Sequence, residues 1–119
     1  MVASYRARNG AVVVIDTQAY PDKWAKAKVI GAGSNHVEVS RALDGLIELM
    51  VKRYKEISEG LVREGEHPKL TVIIDEWMAI VHQCHNATDT IMRLLTESRK
   101  AAMSIVIGSH SDRVRSLGL

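Results

Sequence analysis

A chain of 119 residues is long enough for one domain around a single core, burying about two-thirds of its unfolded surface. Its 16 basic and 14 acidic residues leave a net charge of +2, which excludes an argument for nucleic-acid binding from charge alone. One cysteine, Cys84, excludes an internal disulfide and fits a reducing, cytoplasmic setting; no apolar stretch reaches the roughly 20 residues that cross a bilayer, and the basic start Met1 to Arg8 leads into no signal-peptide apolar region.

Met1 to Arg8 reads as the tail of a helix, closed by the breaker Asn9-Gly10. Ala11-Val12-Val13-Val14-Ile15 is a continuous apolar run closed by Asp16, the pattern of a strand buried on both faces. Asp16 by itself reads as a turn-former ahead of the loop through Tyr20-Pro21-Asp22. Lys28-Val29-Ile30 is a short third strand candidate running into Gly31-Ala32-Gly33-Ser34-Asn35-His36. That loop is neither a dinucleotide fingerprint, which needs glycine where His36 stands, nor a Walker A loop, whose Gly-Lys-Ser/Thr occurs nowhere in the chain. It reads as a helix entry: Asn35 accepts from the first-turn amides and Glu38 reaches back, as in a capping box.

Val39, Leu43, Leu46, Ile47, Met50, Tyr54 and Ile57 recur at three- and four-residue spacing, predicting one apolar stripe on a helix from His36 to Ser58. Glu48 with Lys52 and Lys52 with Glu56 are placed for surface pairs on its outer face. Gly60, Gly65 and Pro68 mark the exit, with His67 read as an exposed loop residue. Leu70-Thr71-Val72-Ile73-Ile74 is the most strand-like run of the chain and ends abruptly in Asp75-Glu76. Carboxylates at the C-terminal end of a buried parallel strand stand where α/β sheets bind ligands; the plain alternative is a pair that opens a loop or caps the next helix.

Trp77 to Val81 suggests a helical turn or loop packed on the sheet edge. His82, Cys84 and His85 crowd three ligand types into four positions with no second pair elsewhere, which does not match a structural zinc site. A second helix is predicted from Ala87 to Ala102, with Ile91, Leu94, Leu95, Ser98 and Ala102 inward and Arg99-Lys100 complementing its dipole. Met103-Ser104-Ile105-Val106-Ile107 is the last buried strand, followed by Gly108-Ser109-His110 and a polar, basic end.

In this order, the strand ending in Asp16, the Asp75-Glu76 strand, and Glu97-Ser98-Arg99-Lys100 leading into a strand that ends Gly108-Ser109-His110 resemble the C-terminal part of the motor domain of FtsK/SpoIIIE and HerA P-loop DNA translocases. The resemblance runs from Val12 to Ser111. It implies that Asp75 serves Mg²⁺ and Glu76 polarises the hydrolytic water on ATP. Ser109-His110 stand where the family has a Thr-Gln sensor of the γ-phosphate, and a histidine there introduces pH sensitivity. Arg99, or Lys100, matches the region that offers a basic residue to a neighbouring subunit's nucleotide. Asp16 matches the nucleotide-site aspartate after the phosphate-loop helix, although Thr17-Gln18 depart from the family's Pro-Lys or Pro-His.

The largest departure is the missing Walker A, whose lysine and amides hold the β- and γ-phosphates. The expectation is therefore a single partial RecA-like domain, a fragment of a motor that acts as a homo-oligomeric ring on DNA with ATP and Mg²⁺. The alternative is an ATPase-like binding or assembly module without catalysis. Direct DNA binding through Arg6, Arg8, Arg113 and Arg115 ranks last, because no aromatic platform accompanies those charges. The fold expected is α/β, a three-layer α/β/α domain with a mostly parallel sheet.

Overall fold

The computed structural model describes residues 10–25, 27–84 and 87–108. Four strands, β1 (Ala11–Ile15), β2 (Lys28–Ile30), β3 (Leu70–Ile74) and β4 (Met103–Ile107), form one sheet in the order β2-β1-β3-β4. Every neighbouring pair is parallel. Their bounds coincide with the apolar runs, as strands covered on both faces require. Three helices, α1 (His36–Ser58), α2 (Trp77–Gln83) and α3 (Ala87–Glu97), alternate with them, and a 3₁₀ turn (Arg99–Ala101) precedes β4.

The register aligns Ile15, Ile74 and Ile107, and behind them Val13, Val72 and Ile105. On this face the helices supply Val39, Leu43, Met50, Ile80, Ile91 and Leu94, all buried. Each large side chain so covered contributes about 1.5–3 kcal/mol, far more than the helix propensity of α1. The opposite face is closed as well, since Val12, Val14 and Thr71 are 2%, 0% and 1% exposed. The result is a parallel α/β fold with both faces of its central strands covered, compatible with the three-layer class.

Chain order across the sheet fixes where the helices lie. The path from β2 through α1 passes over β1 to reach β3, and the path through α2 and α3 continues in the same direction to β4. Two crossovers of one hand travelling one way place their helices on one face, where α1 touches both α2 and α3.

The entry to α1 follows the expected cap in half. Asn35 Oδ1 accepts from the Glu38 amide at 3.1 Å, but Glu38 Oε1 accepts from the Gly31 amide at 2.6 Å rather than from Asn35. Gly31, at φ 93°, folds the chain back within reach, and a β-carbon there would lie 2.5 Å from Val39 Cγ2. Only glycine fits.

The second predicted helix is shorter than its periodicity suggested. α3 stops at Glu97, the chain tightens into the 3₁₀ turn, and Ala102 at φ 59° ends it in the left-handed region. Leu95, predicted inward, is 45% exposed, and Ala102 is a cap rather than a core residue.

Candidate functional site

Because all four strands run parallel, their C-terminal ends share one edge. Backbone bonds lock that edge in register: the Asp16 amide donates to Ile30 O, the Asp75 amide to Ile15 O and the Gly108 amide to Ile74 O, at 2.9–3.0 Å. From β1 the chain leaves toward β2, and from β3 it leaves toward β4, on the other side. The point between β1 and β3 is thus where the connections diverge, the crevice in which α/β sheets bind ligands. Asp16 and Asp75 end the two strands that flank it.

A residue of the intervening loop joins them. Lys23 places its ammonium 2.9 Å from Asp16 Oδ2 and 3.4 Å from Asp75 Oδ2. The rings of Tyr20 and Trp24 flank it, with centroids 5.5 and 5.7 Å away. Trp24 also donates its indole N–H to Asp16 Oδ2 at 2.8 Å, and the Gln18 amide donates to Asp16 Oδ1 at 2.9 Å. Asp16 does form the turn expected of it, yet it also anchors this cation. Asp22 at φ 68° and Ala25 at φ 54° bracket Lys23 and Trp24 in backbone that non-glycine residues seldom adopt.

Asp16 is fully buried. Burial pushes its carboxyl up, but the Trp24 and Lys23 hydrogen bonds, the Gln18 amide and the Lys23 charge together outweigh burial and hold it below the ordinary carboxylate value. Lys23 is raised, first by its hydrogen bond to Asp16 against a smaller burial effect, then by the charges of Asp16 and Asp75. The two groups therefore hold opposite charges across the neutral range.

Glu76 follows at φ 54°, ψ 51°, a left-handed conformation at the N-cap position of α2, with no side-chain bond to the helix amides. The plain capping reading does not describe it. Its neighbour Trp77 ties the turn to β4 by donating to Gly108 O at 3.2 Å. Asp75 keeps a quarter of its side-chain surface open, so of the two aspartates it is the one that can meet a ligand. Ser109 and His110 lie outside the described residues, as does His85; His82 is exposed, and Cys84 is buried with its thiol 3.6 Å from His36 O. Among the described residues, no group of three or more His, Cys, Asp or Glu is placed to hold a metal.

Arg99 is not part of this edge. It sits in the turn before β4, at the N-terminal edge, and five strand residues at about 3.3 Å each put roughly 15 Å between it and the carboxylates. Two neighbouring residues of α1 fasten this turn. Arg53 Nη1 donates to Ala101 O at 2.8 Å from a buried position, and the Tyr54 hydroxyl donates to Glu97 O. Burial lowers the Arg53 pKa, with Glu56 acting the other way. Glu56 is bound not to Lys52 but to His67, Oε1 to Nε2 at 2.9 Å. The His67 side chain, read from sequence as exposed, is 6% exposed, because the chain folds it under the end of α1 on its way into β3.

Sequence reasoning thus found Asp16, Asp75 and Glu76 but missed Lys23, Trp24, Arg53 and Tyr54. A lysine and a tryptophan side by side after Pro21-Asp22 were the only local trace of the Lys23 turn. No protein-family model, no curated protein and no solved structure matches this chain. No described helix is long and apolar enough to cross a membrane.

Proposed function

We propose that these residues form the hydrolytic edge of an ATP-driven DNA translocase of the FtsK/SpoIIIE and HerA type, one subunit of a homo-oligomeric ring. The observation that carries the reading is the Lys23 ammonium bridging Asp75 and the buried Asp16 at the crevice between β1 and β3, with Glu76 next in the chain after Asp75. In this reading Glu76 orients the attacking water, and Lys23 presents positive charge toward the terminal phosphate. Asp16 acts through Lys23 and positions it. Arg99, held by Arg53 and Tyr54 at the far edge, serves the nucleotide of a neighbouring subunit, since its own site is a strand length away. Ser109 and His110 keep the sensor role that the resemblance implies, and the phosphate loop comes from outside these 119 residues.

The donor set suits magnesium. Mg²⁺ is commonly held by one or two carboxylates with waters and substrate phosphates, and Asp75, partly open at the crevice, offers one. When bound, the ion would neutralise charge on the β- and γ-phosphates. Lys23 would then turn from Asp75 and keep its bond to Asp16.

In the intact protein, Glu76→Gln is expected to keep ATP binding and lose turnover; hydrolysis at the parental rate in that variant would end the reading. A non-catalytic ATPase-like module is the second reading, favoured by the Lys23 ammonium already compensating both carboxylates. Titration calorimetry of the intact protein with Mg·ATP separates the two. Heat abolished by Asp75→Asn supports the motor, and heat indifferent to Asp75 supports the module.

A further inference from the structure

Lys23 is bound unequally to its two carboxylates. Its ammonium stands 2.9 Å from Oδ2 of Asp16, which solvent does not reach, and 3.4 Å from Oδ2 of Asp75, which keeps a quarter of its side-chain surface. The rings of Tyr20 and Trp24 flank the ammonium, and Trp24 is itself fastened to the same oxygen of Asp16 by its indole N–H. Releasing the ammonium altogether would leave a buried carboxylate without its counter-charge, whereas parting from Asp75 alone returns a partly open carboxylate to water. Asp75 is therefore the arm that gives way, and Lys23 stays beside it when it does.

We infer that Lys23 makes the uptake of a divalent cation at Asp75 conditional on a phosphate group, so that each is admitted weakly alone and the two enter together. Asp75 can take up the cation only beside an ammonium that cannot leave, and like charges a few ångströms apart repel even under near-bulk screening. An anion that meets both relieves the repulsion. A phosphate does so, because the ammonium has three N–H donors to offer its oxygens and magnesium commonly completes its coordination with substrate phosphates and water. By linkage, the phosphate raises the affinity for the cation by the same factor as the cation raises that for the phosphate. The inference rests on the motor reading for what carries the phosphate, and adds to it the rule by which the site fills.

The test titrates the intact protein with Mn²⁺, read by water-proton relaxation, first without nucleotide and then with saturating ATP in a Glu76→Gln background, where nothing is hydrolysed. Without ATP, Lys23→Gln is expected to bind Mn²⁺ about tenfold more tightly than the parent, and Lys23→Arg, which keeps the charge, as weakly as the parent. Adding Asp75→Asn to Lys23→Gln should remove the gain. With ATP, Lys23→Gln should show no gain, because the ammonium it lacks would have been facing phosphate. Equal or undetectable Mn²⁺ binding in the parent and Lys23→Gln without ATP, a gain that survives Asp75→Asn, or the same gain with and without ATP would each overturn the inference. If circular dichroism shows Lys23→Gln unfolded, Lys23→Gln/Asp16→Asn, which leaves no buried charge alone, carries the same comparison with the same outcomes. Hydrolysis at the parental rate in Glu76→Gln would end the motor reading and leave the ATP-free titration as it is, whereas unchanged Mn²⁺ affinity would end this inference and leave Glu76 its role. The two therefore fail separately.

Discussion

The ammonium of Lys23 lies 2.9 Å from a carboxylate oxygen of Asp16 that solvent does not reach. A charge so placed needs its partner more than the partner needs it, since Lys23 keeps a quarter of its side-chain surface. Lys23→Met is therefore expected to destabilise the fold by about 2–4 kcal/mol, somewhat less than a fully buried pair would lose because water can reach the lysine side. Adding Asp16→Asn should recover part of that loss. Urea denaturation of the two single variants and the double gives the coupling, and strict additivity would show that the pair does not act as a unit.

The same pair predicts a pH dependence. Asp16 is depressed in the fold, so its contribution is fully present above the ordinary value of 3.8 and is lost as pH falls through the folded value beneath it. Lys23 is raised, so its contribution is fully present below its ordinary 10.5 and is lost as pH rises through the higher folded value. Asp16→Asn should flatten the acid limb of stability against pH. An unchanged acid limb in that variant would assign the acid sensitivity elsewhere.

Glu76 separates stability from activity. It is held at φ 54°, where glycine is at no disadvantage. Glu76→Gly relieves the backbone strain, which offsets the added freedom of the unfolded chain, and its stability is expected to stay within about 1 kcal/mol of the parent. Turnover of the intact protein should vanish in the same variant. A loss of more than about 1 kcal/mol on thermal unfolding would mean that Glu76 holds the fold rather than the chemistry.

Tyr54 and Arg53 bracket the turn that carries Arg99, by bonds to Glu97 O and Ala101 O. Tyr54→Phe should cost about 0.5–1.5 kcal/mol, the worth of one hydrogen bond. Its local signature is faster hydrogen exchange at Ala101, Ala102 and Met103, whose amides close the turn onto Ser98 and Arg99. Exchange rates at those amides equal to the parent's would show that the turn holds itself.

Much of the framework was legible in the sequence. The four strands occupy the four apolar runs, and α1 spans the predicted His36–Ser58. Burial on both faces removes any reason for polar residues within a strand, and a 23-residue helix repeats its stripe often enough to fix its phase. The carboxylates Asp16, Asp75 and Glu76 could be found for a related reason: each stands where an apolar run stops. The end of α3 could not be read, because its periodicity continues past Glu97 while the bonds from Arg53 and Tyr54, more than forty residues earlier, pull the carbonyls of Glu97 and Ala101 out of the helix.

What the sequence alone determined is local. Hydrophobic periodicity decided which segments become strands and helices, and breaks in that periodicity decided where chemistry-bearing side chains emerge. Only the tertiary structure decided which of them meet. The order β2-β1-β3-β4 brings Lys23 to Asp75 across 52 positions, sends Arg99 to the opposite edge, and turns His67 from a loop residue into a side chain tucked against Glu56. Those pairings depend on strand order and crossover direction, which local residue patterns do not encode: the packing of one helical layer on one sheet face selects among the arrangements that the same elements could adopt.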